Sequence, residues 1–162
     1  MLKTGSIVLY GSQGICKISE ITTKKVGKIS AQYYVIKPIY ADNTVFFVPI
    51  ENEVLTARIQ SVMSKSQAEK FVDSLNEIEP LKNMDEAEKR KEYKEALSSN
   101  DRQRLVAVIK TLRAERDLRR ESNKKLNIND EQILYKAEQL LYSELAFAME
   151  ITPQEVVDAI KF

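Results

Sequence analysis

Apolar and polar positions alternate along the first sixty residues and fall at helical spacing from there on. In "SIVLY" and "ICKISEI" the residues Ile7, Leu9, Ile15, Ile18 and Ile21 read as short strands with one change of phase, which a bulge would produce. "YGSQG" between them is a turn bracketed by Gly11 and Gly14. "AQYYVIKPIY" and "NTVFFVPI" follow, both rich in aromatic and β-branched residues and separated by the turn formers Ala41-Asp42-Asn43. Pro38 and Pro49 cannot donate to a ladder, so each marks an edge, a bulge or a strand end. About four or five short strands in this span predict a small antiparallel β-barrel or half-open sheet over residues 1–60.

Residues 61–162 carry the helical period. "SKSQAEKFVDSLNEI" offers a capping box at Ser66 and Glu69 and an apolar face of Ala68, Phe71, Val72, Leu75 and Ile78; Pro80 ends it. "DEAEKRKEYKEAL" is charged and weakly amphipathic. After the cap cluster "SSND", Leu105, Val108, Ile109 and Leu112 stand at i, i+3, i+4 and i+7. The next helix is expected to cap at Asn129 and to bury Ile133, Leu134, Ala137, Leu140, Leu141, Leu145 and Ala148. In "TPQEVVDAIKF", Thr152 caps, Pro153 takes the first helical position and Glu155 closes the box. The fold class is α+β: a β-domain, then an all-helical domain. All four glycines fall in the first 27 residues, where the tight turns are.

Composition narrows the chemistry. The 162 residues include no histidine and no tryptophan, and one cysteine, Cys16, so no intramolecular disulfide can form and a reducing interior is expected. Cys16 lies within a strand pattern and reads as a buried hydrophobe. Without histidine or a cysteine cluster there is no zinc site and no imidazole base. "GSQGICK" resembles a phosphate loop only superficially, because it joins two strands instead of opening a helix. A binding protein without catalytic activity or cofactor is expected. No signal peptide opens the chain and no apolar run approaches ~18 residues, so a cytoplasmic protein with no membrane partner is the expectation.

The net charge of +1 conceals blocks. Residues 101–125 carry nine basic and four acidic side chains, whereas 126–162 carry two and seven. Arg113, Arg116 and Arg120 stand at i, i+3 and i+7 in the basic block, where they can grip phosphates or form a salt-bridged solvent face with Glu115, Asp117 and Glu121. In the sheet half, an exposed edge can accept a partner strand. "NTVFFVPI" is the best candidate: Phe46 and Phe47 project to opposite faces, so one lies outside the core unless the helical half covers it. Lys24 and Lys25, expected in the turn "TTKKVG", would supply charge at the rim.

"GSIVLYGSQGICKISEI", "YYVIK", "VPIEN" and Arg58, with "AEQLLYSELAFAM" and the spacing of residues 97–112, make this chain resemble the CarD family of bacterial transcription regulators, whose N-terminal domain is shared with transcription-repair coupling factor. The resemblance implies a Tudor- or SH3-like barrel that docks on the RNA polymerase β subunit. Lys24 falls at a basic polymerase-contacting position. Phe47 falls at a second such position, usually basic; Val48 and Pro49 match and would shape the same edge. The family's helical domain rests on promoter DNA and stabilises the melted state, usually with a wedged tryptophan. Here Glu86 stands at the wedge position with Met84 nearby, a neighbouring basic position is Glu88, and Lys91 keeps its type. The function implied is a transcription regulator that binds the polymerase β subunit and contacts promoter DNA weakly, without reading sequence, through Lys91, Arg113, Arg116 and Arg120. The alternative is an interaction adaptor whose helical domain binds a protein. A monomer and a homodimer are both compatible with the sequence.

Overall fold

The computed structural model describes residues 1–41 and 43–162; Asp42, in the middle of one expected turn, lies outside the described residues. The chain forms two compact units, Met1–Val62 and Met63–Phe162. The first contains β1 (Ile7–Tyr10), β2 (Ile15–Val26), β3 (Ile29–Pro38), β4 (Phe46–Pro49), a short helix α1 (Glu53–Thr56) and β5 (Ile59–Ser61). They form one antiparallel sheet in the order β4-β3-β2-β1-β5. The α+β organisation is the expected one. The sheet is open, however: β4 and β5 occupy opposite edges, and such short strands leave no ladder that would close a barrel.

The change of phase in the second strand is a bulge. Pairing between β2 and β3 shifts between Ile18 and Glu20, and the Ser19 hydroxyl donates to the Val35 carbonyl at 3.1 Å. One inserted residue lets both Ile18 and Ile21 face the same core, with Val8, Cys16, Tyr34, Ile36 and Val48. Burial pushes the Cys16 thiol up to about 11, so it stays protonated and inert at neutral pH. Each of the four glycines has positive φ. At Gly14 (φ 71°, ψ −138°) and at Gly27 (φ 66°), which turns β2 into β3, a side chain would be strained by backbone conformation alone. The helical unit needs no glycine, because Asn100, Asn123 and Glu150 take the left-handed positions where its long helices end.

The second unit comprises α2 (Lys65–Ser74), α3 (Glu86–Ser99), α4 (Arg102–Glu121), α5 (Ile128–Met149) and α6 (Pro153–Ala159). Two caps lie two residues earlier than the sequence pattern indicates. Ser64, with extended backbone, accepts from the Gln67 N–H at 3.2 Å while Gln67 accepts from Ser64 at 2.9 Å, so Ser66 is already helical. Likewise Asn127, not Asn129, accepts from the Asp130 N–H at 2.8 Å. Thr152, Pro153 and Glu155 form the expected box. The core is the seam between α4 and α5, where Ile109, Leu112, Leu141 and Leu145 are fully buried.

A carboxylate is buried beside that seam. Glu144, 3% exposed, accepts from Arg102 Nε at 2.8 and 3.0 Å and from the Met63 main-chain N–H at 3.0 Å. It therefore ties the start of α4 and the first residue of the helical unit to α5. Glu144→Gln should destabilise this unit by about 3 kcal/mol, because it removes the buried carboxylate charge that faces the half-buried Arg102 guanidinium. Urea denaturation followed by helical circular dichroism would measure this; a midpoint equal to wild type would show that the pair contributes nothing.

Candidate functional site

The edge strand β4 positions the first group of residues. Its register against β3 pairs Phe46 with Ile36, Phe47 with Val35, Val48 with Tyr34 and Pro49 with Tyr33. Alternation then sets the two faces. Val48 is buried in the sheet core, and Phe46 packs on it with its ring 5.7 Å from that of Tyr10. Phe47 points the other way and is 45% exposed. The Lys24 ammonium sits over its face, 3.3 Å from the ring centroid. Lys24 and Lys25 are not in a turn: they belong to β2, opposite Ala31 and Ser30, and the turn itself is Gly27 and Lys28. The β-branched run "ITTKKV" sustains pairing until glycine permits reversal.

Backbone directions follow from the same ladder. Ile50 N–H donates inward to the Gln32 carbonyl at 3.0 Å. Antiparallel pairing alternates, so Val48 also faces β3, while the N–H and C=O of Phe47 point outward. Pro49 takes the next outward position, where a missing N–H costs no ladder bond. The structure thus brings Lys24, Phe47 and Pro49 together along the free edge and assigns Val48 to the core beneath them.

In the helical unit, most of the basic block is tied into the fold. Arg104 donates to Glu92 at 2.8 and 2.9 Å and to Glu95 at 3.1 Å. Lys110 Nζ caps the carbonyls of Leu75 and Ile78 at 2.6 and 2.7 Å. Arg113 pairs with Glu138 at 2.9 Å, donates to the Tyr142 hydroxyl and to the Phe162 carbonyl, and stacks 4.9 Å from the Phe162 ring. The sequence pattern missed these bonds because the carboxylates come from other helices, not from the interleaved Glu115, Asp117 and Glu121. The signal that could have found them is acidic sequence on both sides of the basic block: Glu92 and Glu95 precede it and Glu138 follows it. Arg116 is half-buried, with its Nε lacking a hydrogen-bond partner among the described residues. Arg120 is exposed and meets Asp117 at 3.8 Å. Of the three arginines expected to share a face, Arg116 and Arg120 retain freedom and Arg113 does not.

The start of α3 is acidic for a local reason. Asp85 caps it and forms a box with Glu88, while Glu86 occupies the first helical position and meets Lys89 at 3.9 Å. Carboxylates suit the positive end of a helix, where main-chain N–H groups lack partners. Lys91, 79% exposed, meets Glu95 at 3.9 Å.

A family model of the CarD-like/TRCF RID domain matches residues 2–63, and a model of the CarD C-terminal domain matches residues 70–161. The second match alone covers more than half of the chain. The chain belongs to the CarD family. It is therefore a transcription-related protein that interacts with RNA polymerase. Both CarD-family domains follow in order, one on each structural unit. Among the described residues no helix is long and apolar enough to cross a membrane.

The Arg104–Glu92 bond holds α3 against α4 and should make stability pH-dependent. Its hydrogen bond to Arg104 holds the Glu92 carboxyl below its ordinary 4.5. The stabilisation is thus present above that value and lost as pH falls through the lower folded-state value. Glu92→Gln should lower stability at neutral pH, where the bond is intact, and flatten this acid limb. Thermal midpoints of both proteins between neutral pH and the acid range check this; parallel acid limbs would assign the loss to another group.

Proposed function

We propose that this CarD-family protein is a non-enzymatic, cytoplasmic transcription regulator, free of cofactors, that docks on the β subunit of RNA polymerase by adding a partner strand to the β4 edge. The observation that carries the reading is the outward-facing N–H and C=O of Phe47 on the edge strand β4, with Lys24 held over the Phe47 ring. Where the family carries a second basic residue this chain carries an aromatic one, so the rim offers one cation on an apolar platform. Pull-down of the isolated β-subunit lobe tests it. Wild type should be retained, and both Lys24→Glu and Phe47→Pro should lose retention, the first by charge reversal and the second by removing the outward N–H. Retention of both folded variants would eliminate edge docking.

The helical unit, on this reading, contacts promoter DNA through Lys91, Arg116 and Arg120, gripping phosphates without reading sequence and thereby altering open-complex stability. Arg113 supports this surface from within. A second reading, a protein-binding adaptor, is favoured by one specific feature: Asp85, Glu86 and Glu88 gather at the wedge position and repel phosphate. The salt dependence of duplex binding separates the two. Phosphate contact predicts a steep negative slope that falls by about 2 in Arg116→Ala, Arg120→Ala protein. A shallow slope unchanged by the substitutions would make the adaptor reading the correct one.

A further inference from the structure

An open cavity of about 480 Å³ lies in the helical unit, lined by Arg90, Lys94 and Leu97 of α3 and by Asn129, Gln132 and Ile133 of α5. Its chemistry has three layers. Leu97 and Ile133 are partly buried and pack on the core, so the floor is apolar and continuous with the protein interior. Asn129 and Gln132 stand exposed on the α5 wall with amide donors and acceptors. Arg90 and Lys94, one helical turn apart, form the exposed α3 wall.

These two cations differ from most of the basic block in α4. Neither pairs with a carboxylate among the described residues, because the nearby acids on α3 are engaged elsewhere. Glu86 meets Lys89, Glu92 meets Arg104, and Glu95 meets Lys91 and Arg104. Two unneutralised cations above an apolar floor call for an occupant that carries negative charge and an apolar side chain together.

We propose that this groove receives an acidic peptide segment of a protein partner. The peptide's apolar side chain seats on Leu97 and Ile133, its carboxylates pair with Arg90 and Lys94, and Asn129 and Gln132 hydrogen-bond its main chain. A nucleic-acid backbone fits less well. Glu86 precedes Arg90 by one turn on the same stripe of α3, with Asp85 and Glu88 beside it, so a polyanion tracking the helix would run over carboxylates. A short peptide contacts the groove alone. This inference is independent of the docking at β4 and of the phosphate contacts assigned to Arg116 and Arg120 on α4; Lys91, the third such contact, is on α3 but does not line the groove.

The test uses the full chain and three fluorescent probes: a peptide of glutamate and leucine, one of glutamine and leucine, and a duplex DNA. Anisotropy should show binding of the glutamate peptide and not of its glutamine counterpart. Arg90→Ser, Lys94→Ser protein should bind it at least about tenfold more weakly, as expected for two lost charge-assisted contacts. Lys70→Ser, on α2, should bind as wild type does. The methyl resonances of Leu97 and Ile133 should shift on titration, which reports groove occupancy even if the double variant misfolds. Equal binding of both peptides, equal binding by wild type and a folded double variant, or unmoved methyl resonances would overturn the proposal. So would duplex DNA displacing the peptide and shifting the same methyls, or self-association of the protein that shifts them without peptide.

Discussion

The helical unit depends on the packing of α4 against α5 and on the way charge is placed beside that seam. Ile109 and Leu112 meet Leu141 and Leu145 with no exposure to solvent, which supplies the apolar driving force. Flanking them, Arg102 reaches Glu144 and Arg113 reaches Glu138, so a basic helix lies against an acidic one. Ion pairs of this sort contribute less by net energy than by penalising alternatives: any slip of one helix past the other would leave a half-buried arginine or carboxylate unpaired. Glu144 extends the effect by accepting the Met63 N–H, which fixes where the helical unit begins.

This arrangement decides which cations are left for partners. Arg102, Arg104, Lys110 and Arg113 spend their donors on carboxylates and carbonyls of the same unit. What remains outward on α4 is Arg120 and part of Arg116, and on α3 the row of Arg90, Lys91 and Lys94. The surface available to a polyanion is therefore narrower than the sum of basic residues implies. Its boundary is drawn by the carboxylates that cap α3.

The sheet unit solves a different problem. An open sheet leaves an edge that invites uncontrolled pairing. Here β4 is only four residues long and carries Pro49 at an outward position, which limits any added strand to the groups around Phe47. Lys24 covers the exposed ring, shielding apolar surface while keeping a charge at the rim. One short stretch of backbone thus remains competent for a partner and is poorly suited to indiscriminate aggregation.

Local chemistry was legible along the chain. Alternation and helical spacing gave the two halves, the phase change gave the bulge at Ser19, and Thr152-Pro153 with Glu155 gave the last cap. The caps expected at Ser66 and Asn129 fall instead at Ser64 and Asn127, because a cap is the residue that keeps an extended backbone, which pattern does not show. Lys24 lies in β2 and not in the expected turn, because the β-branched run continues the pairing with β3 as far as Gly27. By itself the sequence determined periodicity, turn positions, the absence of histidine chemistry and the presence of opposite charge blocks, since all are properties of near neighbours or of composition. Tertiary structure decided which basic side chains are used internally, which phenylalanine is exposed and which backbone groups face outward at β4. Those outcomes depend on partners such as Glu138, Glu144 and Tyr34, brought close by folding from distant parts of the chain.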